Sequence, residues 1–364
     1  MINVTKVELP SLSSYKKYLD KIWEMAWVTN NGACVKKLKT ELEEYLKIKN
    51  LVLVTNGTLA IQLPLKVLGL RGEVITTPFT FVATTNAVLW EGSTPIFADI
   101  DSKTFNINPE DVEKKITDKT VAILAVHVYG NPGSLEALAK IAKKHEIKLI
   151  YDAAHAFGVE YKNKPILSFG DISTLSFHAT KVFNTIEGGA IVCKRKRDAE
   201  KMESIRNFGI IEYQDEIESP GINAKMNEFC AAMGLCNLKS IDSKINNRRQ
   251  LYELYQEKLG SKQDVTFQKI TASKYNYSYM PVLFKDNKQR DNIAKELTSR
   301  KIAPRKYFFP LTYNYKFWKN QRGTIPNCPT AENISSRVLC LPIYSTLKKT
   351  SVKTICSIIS EHCN

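Results

Sequence analysis

No two cysteines of this chain stand in a Cys-x-x-Cys pair, and none has a histidine at zinc-ligand spacing, although there are eight (34, 193, 230, 236, 328, 340, 356 and 363). No metal site is expected. In a chain of this size the thiols read as reduced and mostly buried, which suits a cytoplasmic protein. No apolar run approaches the roughly 18–20 residues that span a bilayer. The start, Met1-Ile-Asn-Val-Thr-Lys-Val-Glu-Leu-Pro10, lacks the basic and apolar regions of a signal peptide, so neither membrane insertion nor export is expected. Tandem repeats and low-complexity tracts are also missing. Acidic residues are scarce, 37 against 52 Lys and Arg, for a formal net charge of +15. Nucleic-acid binding would need those cations gathered on one face beside a reading motif. Here they are scattered, and the densest run, Cys193-Lys-Arg-Lys-Arg197, reads as a solvated turn at a strand end. A diffuse positive field is also compatible with a small polyanionic ligand.

What is present is alternation. Short β-branched apolar runs (51–55, 73–77, 95–98, 121–128, 148–151, and around Leu175 and Ala190) are separated by amphipathic stretches of helical length, near 58–68, 81–90, 109–116 and 134–145. This is the pattern of βαβ units and of a mainly parallel sheet covered on both faces. From about Asn237 the pattern changes. A long charged helix, Ile241 to about Leu259, leads into a smaller α+β unit with a strand over 279–284. We expect a large domain over 1–240 and a small C-terminal one over 241–364. Ligands of such sheets bind outside the carboxyl ends of the strands, so residues that follow strands carry the functional information.

The segment Ser176-Phe-His-Ala-Thr-Lys181-Val-Phe-Asn-Thr-Ile-Glu-Gly-Gly189 places a lysine between two strands. Phe177, Ala179, Val182 and Phe183 would partly desolvate its amine, which favours the neutral form. A neutral amine can hold a carbonyl cofactor such as pyridoxal phosphate as a Schiff base; the alternative is a lysine snorkelling from a strand end. Asp152, in Tyr151-Asp-Ala-Ala-His155, ends another strand, where a buried carboxylate needs a cationic partner such as a pyridinium nitrogen. Otherwise it is a helix N-cap. His155 fits either a donor to the cofactor's phenolate oxygen or a helix-surface histidine. Asn56-Gly57-Thr58 opens a helix with the amides and hydroxyl of a phosphate cradle, or is an ordinary strand-to-helix turn. Phe81 could stack on a ring or belong to the core. Ser176 could supply a phosphate hydroxyl, and Asn223, just before a helix, could be only a cap.

Taken in order, Asn-Gly-Thr (56–58), Thr-Pro-Phe-Thr-Phe (77–81), Val-His-Val-Tyr-Gly-Asn-Pro (126–132), Tyr-Asp-Ala-Ala-His, Phe-His-Ala-Thr-Lys with Glu-Gly-Gly, and Asn-Ala-Lys-Met-Asn-Glu (223–228) resemble the DegT/DnrJ/EryC1/StrS family of pyridoxal-phosphate-dependent sugar aminotransferases. The likeness runs from Thr29-Asn-Asn-Gly32 to Lys306-Tyr-Phe-Phe-Pro310. It looks closest to the branch that aminates C4 of dTDP-4-keto-6-deoxyglucose. The resemblance implies the aspartate-aminotransferase-like, fold type I α/β architecture, with L-glutamate as amino donor and a nucleotide-linked keto sugar as acceptor, for O-antigen or other cell-surface polysaccharide. It makes Lys181 the Schiff-base lysine, Asp152 the partner of the pyridine nitrogen, Gly57, Thr58 and Ser176 the phosphate ligands and Phe81 the stacking aromatic. It implies that Asn223 reaches the phosphate of a neighbouring subunit, hence a homodimer with shared sites. His155 departs from the glutamine of many members, yet both side chains can serve the phenolic oxygen. Lys181 argues against the family's dehydratases, which carry histidine there.

Sugar contacts are less legible. His178, Asn30, Lys306 and Tyr307 are the candidates, with Arg305, Asn31, Asn184 and Glu187 behind them; turn capping is the default for Asn30 and Asn31. The rival functions are amination of a 3-keto sugar or of a UDP- or GDP-linked sugar, and a non-catalytic protein of the same fold.

Overall fold

The computed structural model describes residues 1–211, 216, 217, 219–319 and 326–363. Its centre is a seven-stranded sheet built from β1 (Leu51–Val54), β2 (Glu73–Thr76), β3 (Thr94–Phe97), β4 (Thr120–Val126), β5 (Lys148–Asp152), β6 (Ile172–Ser176) and β7 (Gly189–Cys193), in the order β1-β7-β6-β5-β4-β2-β3. All pairings among β6, β5, β4, β2 and β3 are parallel, and β7 runs antiparallel to both neighbours, β1 and β6. The mainly parallel sheet expected from the sequence is therefore present, with β7 as its exception. Every residue of β1 and β7 is buried, as strands covered on both faces require. Helices α1 (Leu12–Met25) and α2 (Ala33–Leu46) precede the sheet, while α3 (Gly57–Val67) and α4 (Val82–Trp90) follow β1 and β2.

After β5 the chain departs from the helical alternatives weighed for Asp152 and His155. Residues 153–158 form turns and no helix, so Asp152 is a strand end and caps nothing helical. The basic run after β7 is not all turn, because Lys196 and Arg197 open the helix Lys196–Ile205.

The C-terminal part carries a three-stranded antiparallel sheet, β8 (Val265–Phe267), β9 (Met280–Phe284) and β10 (Val338–Leu341). The charged helix Ile241–Leu259 has the expected bounds and buries Ile241, Ile245, Leu251, Tyr255 and Leu259. Residue 240 lies between this helix and the preceding one, Glu228–Leu238. One apolar cluster runs from Leu38 and Leu42 on α2 through Leu53, Tyr151 and Phe177 to Met280, Ile293 and Val352, so the large sheet and the C-terminal part share a packed interior. A polar tie adds to it. The Asp99 carboxylate, just beyond β3, accepts from the amides of Thr330 and Ala331 at 2.9 and 2.8 Å, which serve the start of the helix Pro329–Arg337. Among the described residues no helix is long and apolar enough to cross a membrane.

Candidate active site

Parallel register brings the strand ends level. Val126 pairs with Asp152, Asp152 with Thr174, and Ser176 with Gly189, so the carboxyl ends of β4, β5 and β6 meet the start of β7. A cavity of about 350 Å³ opens there, lined among others by Gly57, Thr58, Phe81, Asp152, His155, Ser176 and Lys181. Seven residues from four separate stretches of sequence thus share one wall system.

Lys181 lies in the 177–188 link between β6 and β7. Phe177 and Phe183 are buried beneath it, edge to face at 5.0 Å, and Phe183 stacks on Phe157 at 4.4 Å. The link is held by Phe177 N donating to Gly188 O at 2.8 Å and by Thr185 N donating to Phe177 O at 2.9 Å. Burial disfavours the ammonium and lowers the pKa of Lys181 to about 8, with the Asp152 carboxylate pulling the other way.

Asp152 is 5 % exposed. Its carboxylate accepts from Thr84 Oγ1 at 2.7 Å and from the Ala154 amide at 3.1 Å, and Thr84 Oγ1 is also 2.9 Å from Thr80 Oγ1. Burial pushes its pKa up, against the hydrogen bonds and the nearby Lys181. Beside it the His155 ring stacks on Phe308 and meets Tyr279 edge-on. Burial holds the imidazole well below its usual pKa, so it is neutral at pH 7, and its Nδ1 has no hydrogen-bond partner among the described residues.

The opposite wall is the start of α3. Asn56 caps this helix by accepting from the Leu59 amide at 2.9 Å, which leaves the first-turn amides of Gly57 and Thr58 at the cavity. Gly57 is required by proximity, since a Cβ there would lie 2.7 Å from Ser176 Cβ. Phe81 is 58 % exposed, standing at the N-cap of α4 on the cavity rim rather than in the core.

Of the sugar-contact candidates, His178 and Tyr307 line the cavity. Asn30 and Lys306 do not: Asn30 is exposed in the turn before α2, and the Lys306 amine pairs with Asp291 at 2.6 Å. Neither asparagine of that turn caps α2, whose N-cap is Gly32; Asn31 Oδ1 instead accepts from Arg206 at 2.8 Å. Asn184 is buried and bonded by Asn237, whereas Glu187 lines the cavity rim. Arg305 is engaged through its backbone with Cys340. Asn223 is exposed and outside this cavity, and the cap of the helix Glu228–Leu238 is Asn227. Thr84, Tyr279 and Phe308 escaped sequence reasoning. For Thr84 a signal existed, because it stands in the first turn of the helix that Phe81, the stacking candidate, caps.

Comparison with known proteins decides the family. The DegT/DnrJ/EryC1/StrS aminotransferase model matches residues 13–360. The chain belongs to this family. It is a pyridoxal-phosphate-dependent aminotransferase, and the cavity fits that cofactor: a partly buried amine of lowered pKa, a buried carboxylate, an unpartnered imidazole nitrogen and a helix start kept close by Gly57 face one space. The chain is 41% identical to the dTDP-4-amino-4,6-dideoxy-D-glucose transaminase of Shigella dysenteriae over 363 residues, 99% of this chain and 98% of that one. It is 39% identical to the Escherichia coli protein of the same name over 98% of each. Among solved structures it is similar to DesI, crystallised in the presence of its TDP-sugar product, with a TM-score of 0.90, 30% identity and coverage of 98% of this chain and 92% of that one.

Proposed function

We propose that this aminotransferase moves the amino group of L-glutamate to the C4 keto group of dTDP-4-keto-6-deoxy-D-glucose, giving dTDP-4-amino-4,6-dideoxy-D-glucose for cell-surface polysaccharide. The carrying observation is near-full-length identity of about two residues in five to transaminases of that name, joined to the Lys181 and Asp152 pair in one cavity. Bound pyridoxal phosphate supplies an aldehyde that exchanges the amino group and a ring that takes up the electrons left when a Cα proton departs. The protein's own residues do the rest. Lys181 anchors the cofactor and, once freed and neutral, takes the Cα proton of the donor and returns a proton on the far side of the exchange. Asp152, held by Thr84 and Ala154, keeps the pyridine nitrogen protonated. His155 donates to the phenolic oxygen through one nitrogen, a role open to a neutral ring. Gly57, Thr58 and Ser176 hold the phosphate, Phe81 covers the ring face, and His178 and Tyr307 face the sugar. Asn223 completes the phosphate site of a second subunit in a homodimer.

The test is a screen of dTDP-, UDP- and GDP-linked 4-keto and 3-keto sugars with glutamate, the position of the new amine assigned by NMR. Turnover with the dTDP-4-keto-6-deoxy sugar and an amine on C4 is expected. Preference for another carrier or an amine at C3 would overturn it.

A further inference from the structure

One carboxylate outside the cavity is placed where no role has been assigned to it. Glu228 is 2 % exposed, and its two oxygens accept from consecutive amides at the start of α2, Cys34 at 2.7 Å and Val35 at 2.9 Å. Its own amide donates to Val28 O at 3.0 Å. Because α2 has no side chain of its own at the N-cap, Glu228 supplies the negative end that a helix start lacks. The fit is tight: a Cβ on Gly32 would lie 2.6 Å from Glu228 Cδ.

Glu228 thereby clamps the turn 28–32 to the strip 221–228. The same two segments are joined again at their far side. Arg206 donates to Asn31 Oδ1, the Ala224 amide to Arg206 O at 2.9 Å and the Ile222 amide to Ile205 O at 2.8 Å. Lys225 lies over the Phe208 ring, 4.6 Å from its centroid. Asn223 sits in the middle of this block, exposed, with its side chain out of the cavity that holds Lys181 of its own chain. A block braced this heavily around one surface asparagine is arranged to present it.

On the shared-site dimer proposed above, we infer that Glu228 is a positioning residue acting in trans: it fixes the strip that carries Asn223 and so serves the cofactor phosphate site of the partner subunit rather than the site of its own chain. A residue that only stabilised its own fold would damage its own Lys181 site.

Mixed dimers separate these outcomes. Two differently tagged chains, Lys181→Ala and Glu228→Ala, are co-expressed, and the heterodimer is isolated and loaded with pyridoxal phosphate. Each parent homodimer is expected to be impaired, Glu228→Ala by a factor of at least about ten as a lost pair of charge-assisted hydrogen bonds implies. In the heterodimer one site combines an intact Lys181 with the strip of the other chain, whose Glu228 is intact. With one of two symmetric sites whole, about half the wild-type turnover and half the bound cofactor should return. Absence of that recovery overturns the trans assignment. Lys181→Ala with Asn223→Ala is the control: if this pair does not recover either, the shared-site dimer itself falls, whereas recovery here alone sinks only the role of Glu228. Gly32→Ala, which displaces the carboxylate without removing it, should repeat the Glu228→Ala pattern. If neither variant gives a folded dimer, Glu228 is a folding determinant and the inference is wrong.

Discussion

Thr84 and Asp152, 68 positions apart, are joined by a 2.7 Å hydrogen bond in which the threonine hydroxyl donates to the carboxylate at the end of β5. It opposes the upward push of burial on the Asp152 pKa. Replacing Thr84 by valine keeps the shape and removes the donor, which leaves the carboxylate partly unsatisfied. We expect a fall in kcat on the order of tenfold, from a loss of about 1–3 kcal/mol, with the KM for glutamate little changed. Stopped-flow and steady-state kinetics would check this, and an unaltered kcat would count against a role for the pair.

The lowered pKa of Lys181 has a sign that can be read directly. In the proposed anchoring role only the neutral amine would attack the cofactor aldehyde, so capture of pyridoxal phosphate by the apoenzyme should quicken as pH rises and level off above about 8. Asp152→Asn removes the one influence that raises this pKa, so the midpoint should move to lower pH. Capture rates followed by the cofactor's absorbance across pH would show it; a midpoint unmoved or moved upward would contradict the electrostatics.

Removing the amine gives the sharpest loss. Lys181→Ala should fold with unchanged thermal stability, since the side chain sits at a cavity, and should lose turnover by several orders of magnitude. Residual turnover near the wild-type value would refute the anchoring and proton-carrying roles together.

Gly57→Ala tests proximity rather than charge. Its Cβ would collide with Ser176 Cβ, forcing α3 away from β6 and weakening cofactor binding by an expected tenfold or more, a coupling of contacting residues. Ser176→Gly should partly relieve that collision in the double variant while losing its own hydroxyl. Dissociation constants for pyridoxal phosphate from all members of the cycle measure it, and strict additivity would show that the two residues do not meet as described.

Asp99→Ala should cost about 1–2 kcal/mol of stability, as the loss of a capping carboxylate does. Cofactor capture by the folded protein should be unaffected. Denaturant unfolding monitored alongside capture would reveal any spread of the effect into the site.

Much of the large sheet could be read from sequence because short, continuously apolar runs such as Leu51–Val54 and Lys148–Asp152 alternate with longer stretches of helical length. Lys181 and Asp152 could be singled out because each lies at a strand end and is costly to bury without a partner, and Gly57 because it opens a helix directly after a strand. Direction of pairing was less accessible: nothing in Gly189–Cys193 marks it as the antiparallel member of the sheet. Thr84, Tyr279 and Phe308 were missed for a related reason. They enter the cavity through packing between distant segments, and a threonine in a helix or an aromatic in an apolar run looks the same whether or not it faces a site. Glu228 shows the limit most clearly, since its partners lie 193 and 194 positions away.

The antiparallel insertion of β7 also sets what an engineer can change here. Lys181 hangs on a hairpin whose two legs are clamped by the pairing of Ser176 with Gly189 and by the Phe177–Gly188 and Thr185–Phe177 bonds. A one-residue change of length between Thr185 and Gly188 would disturb that clamp, and a slip of the Ser176 leg by one step would turn Ser176 from the cavity to the opposite face. Grafting or shuffling schemes should therefore keep 172–193 as one block, with the spacing between its clamped legs preserved.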